Sequence, residues 1–283
     1  MRKAFVIGHP IAHSRSPLIH GHWLKTLGLD GSYERIDVPP ETLADFVSAF
    51  PRRGFVGGNV TVPHKEAVFA LLEAGGHELS PTARRLGAVN TLSLREDGRL
   101  LGHNTDGAGF AGSVDEAVGA GWDSDCGQAI VIGAGGAARA IVGALLDRGV
   151  PRILVANRTV EKARALVAFG PDRVEAVSLE ELPGRLAGTG LLVNTTTLGM
   201  KGQGSLDLDL AGLPETAIVA DIVYVPAVTP LLAPAAARGL RTVGGLGMLL
   251  HQAVPGFELW FGKRPVVDAA LRAVVEADIG ASA

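Results

Sequence analysis

The sequence predicts an α/β fold built on mostly parallel strands. Three observations lead there. Short apolar runs that read as strands alternate with helix-length stretches along nearly all of the 283 residues. The 38 glycines gather at the ends of those runs, where a chain turns sharply or lets a ligand approach its backbone. The series also pauses at a polar, glycine-containing connection, Gly119–Gly127, and starts again at Gln128. That pause points to two α/β domains with a cleft between them, a common place for a ligand.

In the first series, strands are expected at Lys3–Gly8, Ser32–Val38 and Phe55–Val62, with helices at Pro17–Leu27, Glu41–Phe50 and Lys65–Ala74. Val89–Leu94 and Leu100–Asn104 read as a hairpin, with Asp97-Gly98 in the turn Arg95–Gly98 supplying residues that tolerate positive φ. A helix over Gly107–Gly119 follows. The second series places strands at Ala129–Gly133, Arg152–Asn157, Val174–Val177, Leu191–Asn194 and Ile218–Ile222. After Val243 the pattern becomes helical, through Met248–Phe261 and Pro265–Ala277, with Trp260 and Phe261 closing an apolar face that reads as core.

Composition narrows the class. At 47% hydrophobic and 19% charged residues, the chain can bury a sizeable core. A formal net charge of −3 leaves no basic excess to displace counterions, so nucleic acid is not an expected partner. No apolar run approaches the roughly 20 residues that span a bilayer. The apolar run before His9 and Pro10 is also too short for a signal peptide, so no membrane association is expected. Cys126 is the only cysteine, which rules out a disulfide within the chain and suits a cytoplasmic address. His9, His13, His20 and His22 crowd together without the cysteine or carboxylate spacing of a zinc site, so no metal is expected.

The first chemical clue is the run Gly133-Ala134-Gly135-Gly136-Ala137-Ala138 between a buried strand and a helix start. Such a turn brings backbone N–H groups up to a pyrophosphate at a helix N-terminus. The next strand ends in Asn157-Arg158-Thr159, with Lys162 one turn on, about 20 residues past the glycines, where a dinucleotide fold reads the ribose. An NAD protein usually has an acid there. Arg158 instead presents a planar fork of donors suited to a 2′-phosphate, so NADP is the expected cofactor.

The first series carries polar residues that local structure does not demand. Ser14 and Ser16 follow a strand end and can both face one small ligand, although Ser16 could equally cap the helix that Pro17 opens. Thr61 and Lys65 stand at the exit of a strand, and a lysine at a helix start opposes the helix dipole, which points to use rather than stability. Gly87-Ala-Val-Asn90-Thr91 and Asn104-Thr-Asp106-Gly107 bring amides, hydroxyls and a carboxylate to the junction between the two series.

Taken in order, Ser14-Arg-Ser16-Pro17, Asn59-Val-Thr-Val-Pro-His-Lys65, Gly87-Ala-Val-Asn90-Thr91, Asn104-Thr-Asp106-Gly107, Gly133-Ala-Gly-Gly-Ala137, Asn157-Arg-Thr159 and Gly244-Gly-Leu-Gly-Met248-Leu-Leu-His-Gln252 resemble the shikimate dehydrogenase family over nearly the whole chain. The resemblance implies an N-terminal α/β substrate domain, residues 1–105 with 245–283, and a Rossmann-like NADP-binding domain, residues 106–244. It implies NADPH-dependent reduction of 3-dehydroshikimate to shikimate. Lys65 and Asp106 would be the catalytic pair. Ser14, Ser16 and Tyr224 would bind the carboxylate, while Thr61, Asn90 and Gln252 would hold the hydroxyls. Gly133, Ala134, Gly135, Gly136, Ala137, Asn157, Arg158, Thr159, Lys162, Gly245 and Met248 would line the cofactor. A monomer or homodimer is expected. His103 stands where many members have Asp, and Thr195 where Ala is frequent. A quinate/shikimate or aminoshikimate dehydrogenase, a methylene-tetrahydrofolate dehydrogenase and a non-catalytic NADP-binding regulator are the alternatives. Retention of both Lys65 and Asp106 argues against the last.

Overall fold

The computed structural model describes residues 1–282. The chain runs through β1 (Arg2–Gly8), α1 (Ser16–Thr26), β2 (Gly31–Asp37), α2 (Leu43–Ala49), β3 (Phe55–Val60), α3 (Lys65–Ala74), β4 (Glu78–Leu79), α4 (Pro81–Leu86), β5 (Thr91–Leu94) and β6 (Leu100–His103). It continues through α5 (Asp106–Val118), β7 (Ala129–Ile132), α6 (Gly136–Asp147), β8 (Ile153–Asn157), α7 (Val160–Val167), β9 (Val174–Ser178), β10 (Leu191–Asn194), β11 (Ile218–Asp221), α8 (Leu232–Ala237), β12 (Arg241–Val243) and α9 (Gly245–His251). It closes with α10 (Ala253–Phe261) and α11 (Ala269–Ser282).

Two compact units result: Met1–Thr105 with Gln252–Ser282, and Asp106–His251. The return to the first unit thus falls at Gln252 rather than 245, because α9 packs along α5 within the second unit. A Cβ on Gly247 would stand 2.1 Å from Ser113 Oγ, and His251 Nε2 lies 3.0 Å from Glu116 Oε2.

The first unit is a mixed sheet in the order β2-β1-β3-β5-β6-β4. β1 pairs in parallel with β2 and β3, and β5 and β6 form the expected antiparallel hairpin, with Gly98 at φ 79° in its turn. One face is filled by Phe5, which meets Phe46, Phe50 and Phe55 edge-on with centroids 5.3, 5.3 and 5.1 Å away. On another side Trp260 is buried and its Nε1 donates to the Leu92 carbonyl at 2.8 Å. Gly57 makes that approach possible, since a Cβ there would lie 2.1 Å from the same Nε1.

The second unit is an all-parallel sheet in the order β12-β11-β10-β7-β8-β9. Its four central strands, β11, β10, β7 and β8, are buried on both faces and so read as continuous apolar runs. Ala129 and Val131 point into one core, Ile130 and Ile132 into the other. Counted from β7, this is the strand order of a doubly wound nucleotide fold, with its reversal between β7 and β10.

Three expectations need correction. The helix expected over Met248–Phe261 is two helices, α9 and α10, broken at Gln252. Pro255 has no N–H for the His251 carbonyl and its ring crowds that group, so one continuous helix cannot form. The last helix starts at Ala269 rather than Pro265. Cys126, assigned by sequence to a polar connection, is buried in the core of the second unit, and burial pushes its thiol up to about 11.

His20 is wholly buried in the first unit. It stacks on Tyr33 at 4.0 Å and is enclosed by Trp23, Phe257 and Trp260. Burial pushes its pKa from 6.5 down to about 3, with the Asn59 amide pulling more weakly the other way. The neutral ring favours the folded state fully above the unfolded value of 6.5, and that contribution is lost as the pH falls toward about 3. The slope for one proton is at most about 1.4 kcal/mol per pH unit. His20→Phe keeps an aromatic ring and should flatten this share of the acid sensitivity, read from urea unfolding between about pH 4 and pH 7. Equal pH slopes in parent and variant would take His20 out of the account.

Candidate functional site

In the first unit, the polar residues singled out by sequence sit at the ends of β1, β3, β5 and β6. Thr61 follows β3, and its N–H donates to the Ile7 carbonyl at 2.9 Å, which holds it beside the end of β1. Lys65 opens α3 and is half-buried, and its carbonyl accepts from Val89 N–H at 2.9 Å. His64 secures that helix start, because its ring Nε2 donates to the Val38 carbonyl at 2.6 Å.

Ser14 and Ser16 face one another, with Oγ atoms 3.3 Å apart, and Ser14 Oγ also accepts from Ser16 N–H at 3.4 Å. The alternative role for Ser16, a helix cap, does not hold. Arg15 is the N-cap of α1, Ser16 is already its first residue, and no side chain caps it. The Ser14 backbone is fixed from outside by Arg35, whose Nε donates to the Ser14 carbonyl at 2.8 Å.

Asn90 is buried between Thr91 and Thr105. Its Nδ2 donates to Thr105 Oγ1 at 3.0 Å, and its Oδ1 accepts from Thr105 N–H at 2.9 Å. Thr105 Oγ1 in turn donates to the Gln252 carbonyl at 2.8 Å. The structure therefore ties Asn90 and Gln252 into one hydrogen-bonded group. Asn59, Thr91 and Thr105 are the residues that sequence reasoning left without a role. The available clue was Asn59, a polar side chain in the otherwise apolar strand β3. Buried polar groups of this kind need partners. Asp106, peptide-bonded to Thr105, opens α5 and is buried; it and Tyr224 belong to the second unit.

In the second unit, Gly133 follows β7 at φ +113°, and a Cβ there would lie 2.5 Å from Thr195 Oγ1. The Thr195 hydroxyl donates to the Ile132 carbonyl at 2.7 Å, so this departure from the family pattern packs directly against the glycine turn. Gly135 is the N-cap of α6 with no side-chain cap, and a Cβ at either Gly135 or Gly136 would meet nothing within 4 Å. The backbone is therefore open to an approaching group at a helix N-terminus, which fits a pyrophosphate. Asn157 ends β8 and its Nδ2 donates to the Thr159 carbonyl at 2.7 Å; Arg158, Thr159 and Lys162 are exposed beside it.

Tyr224 lies just past β11 in a loop organised by Asp221. That buried carboxylate accepts from Asn194 Nδ2 at 3.0 Å, Val223 N–H at 3.0 Å and Thr229 Oγ1 at 2.7 Å. Burial raises its pKa against these bonds. Gly245 follows β12 and packs on the same loop, where a Cβ would stand 2.1 Å from the Ile222 carbonyl; Met248 is half-buried against the core. Among the described residues, no group of three histidine, cysteine or acidic side chains could hold a metal ion, and no helix is long and apolar enough to cross a membrane.

An all-parallel sheet in doubly wound order, with an open glycine turn at its switch point, defines a dinucleotide-binding α/β protein. The chain belongs to the shikimate dehydrogenase family. Residues 6–92 match the model of the shikimate dehydrogenase substrate binding domain, 118–199 that of shikimate / quinate 5-dehydrogenase, and 245–275 that of the shikimate 5′-dehydrogenase C-terminal domain. The chain is 58% identical over 278 residues to a shikimate dehydrogenase (NADP(+)) of Methylobacterium radiotolerans, covering 98% of this chain and 97% of that one. Among solved structures, shikimate 5-dehydrogenase from Thermus thermophilus in complex with NADP(H) and shikimate is 40% identical, with a TM-score of 0.84 over 98% of this chain and 100% of that one. Quinate dehydrogenase from Corynebacterium glutamicum in complex with NAD is 32% identical, with a TM-score of 0.88 over 98% and 99%.

Proposed function

We propose that this chain is an NADP-dependent shikimate dehydrogenase, which reduces 3-dehydroshikimate to shikimate reversibly. The observation that carries this reading is its 58% identity, over 98% of its length, to an enzyme of that name. Ser14, Ser16, Thr61, Asn90 and Gln252 fall in the first unit and the glycine turn falls in the second, a doubly wound parallel sheet, which supports the reading.

The first unit is the substrate domain in this reading. Ser14 and Ser16 donate hydroxyl protons to the substrate carboxylate, with Tyr224 a further contact to it. Thr61, Asn90 and Gln252 hold the ring hydroxyls. Gly133, Ala134, Gly135, Gly136 and Ala137 cradle the cofactor pyrophosphate on the N-terminus of α6. Asn157, Arg158, Thr159 and Lys162 take its 2′-phosphate, and Gly245 and Met248 border its nicotinamide end. Bound NADPH supplies the hydride. The substrate oxygen that becomes negative on reduction needs a proton, which the Lys65 ammonium gives, with Asp106 as its partner in the acid–base pair. The single, buried Cys126 suits a cytoplasmic enzyme, acting as a monomer or homodimer.

The test crosses shikimate and quinate with NADP and NAD at fixed enzyme. Turnover should be highest for shikimate with NADP; quinate as the better substrate would favour the quinate/shikimate alternative. Lys65→Ala should lower kcat about 10²–10⁴-fold while shikimate KM changes much less, in steady-state kinetics. A kcat near that of the parent would remove Lys65 from the proton transfer.

Arg158→Ala should weaken NADP about ten- to a hundredfold, since a hydrogen bond to a charged group is worth about 1.5–3 kcal/mol. NAD binding should barely change. Titrating both cofactors into one preparation checks this, and equal losses would mean that Arg158 does not read the 2′-phosphate.

A further inference from the structure

The hydrogen positions around Asn90 follow by elimination. The Asn90 main-chain carbonyl can only accept, so the Asn59 side-chain atom 3.2 Å from it is Nδ2. Asn59 Oδ1 then faces the Tyr33 hydroxyl, which donates to it at 2.6 Å. The same Nδ2 is 3.2 Å from Thr91 Oγ1, which accepts there. Thr91 has one hydroxyl proton, and Asn90 Oδ1, 2.8 Å away, receives it; Thr105 Oγ1 is farther off at 3.4 Å.

The opposite side gives the same assignment. Thr105 N–H is a donor only and meets Asn90 Oδ1 at 2.9 Å. Thr105 Oγ1 gives its proton to the Gln252 carbonyl at 2.8 Å, and therefore accepts from Asn90 Nδ2 at 3.0 Å. Both lone pairs of the Asn90 side-chain oxygen are thus taken, one by Thr91 and one by Thr105. A hydrogen bond from this side chain to a ligand is one that Asn90 donates.

We propose that Thr91 is a positioning residue that, together with the Thr105 N–H, holds the polarity of the Asn90 amide, so that Asn90 meets the substrate as a donor to one of its oxygens. This rests on the reading of Asn90 as a substrate contact. Thr91 is 0% exposed and so acts only through its neighbours. Without its hydroxyl, one lone pair of a buried amide oxygen is left unfilled and the amide loses a constraint against turning over.

The experiment compares Thr91→Val, Thr91→Ser, Asn90→Ala and the double variant Asn90→Ala/Thr91→Val in shikimate oxidation with NADP, with melting temperature read alongside. Thr91→Val should raise shikimate KM about tenfold and leave NADP KM unchanged. Thr91→Ser, which keeps the hydroxyl, should restore it. Asn90→Ala should raise shikimate KM at least as much, and adding Thr91→Val to it should change nothing further, because the effect passes through Asn90. A normal shikimate KM in Thr91→Val beside a raised one in Asn90→Ala overturns the polarity assignment and leaves the contact standing. A normal KM in Asn90→Ala overturns the contact itself. A Thr91→Val effect that persists without the Asn90 side chain, or that raises both KM values together, shows a scaffold role and overturns the proposal.

Discussion

The hydrogen bond from Thr105 to the Gln252 carbonyl is the joint on which the first unit depends. Thr105 is the last residue before the chain leaves that unit, and Gln252 is the first after it returns. One 2.8 Å contact therefore closes the ring of chain that the whole second unit interrupts. The same threonine holds both ends of the Asn90 side chain, so closure of the unit and shaping of the proposed substrate site are one event. Pro255 contributes by breaking the helix at this point, since a continuous helix would not present Gln252 at a helix start.

Around this joint, polar groups are buried in numbers that are tolerable only because each finds a partner. Asn59, Asn90, Thr91 and Thr105 are all less than 9% exposed. An unsatisfied member would cost about 1–3 kcal/mol, a large part of a domain's net stability. The aromatic packing next to them is equally tight: Trp260 reaches the Leu92 carbonyl only because residue 57 has no side chain. In the second unit, Asp221 plays the corresponding part, accepting two hydrogen bonds from the loop that carries Tyr224 and a third from Asn194 at the end of β10.

What the sequence made legible was local. The central parallel strands of the second unit read as apolar runs because both faces are buried, and Gly133 with Gly135 marked a turn whose conformation and open backbone the structure displays. β12 and the two-residue β4 were missed, being too short to show a period. The cap alternative at Ser16 was undecidable from sequence, because shifting a helix start by one residue changes the role of a serine entirely. The polar group around Asn90 was legible as a set of motifs but not as a connected whole. Its partners are far apart in the chain, Asn59 with Thr91 and Thr105 with Gln252, and no spacing rule relates them.

The interrupted chain of the first unit also sets an order of events during synthesis. β1, α1 and β2 leave the ribosome early, yet Phe257 and Trp260, which cover His20 and Tyr33, belong to α10 and follow the entire second unit. At about 5–20 residues per second, the gap is on the order of ten seconds. The second unit has its own two-faced core and can close in that interval. The unit begun first is thus completed last, and one aromatic side of its sheet stays uncovered in the nascent protein until α10 emerges.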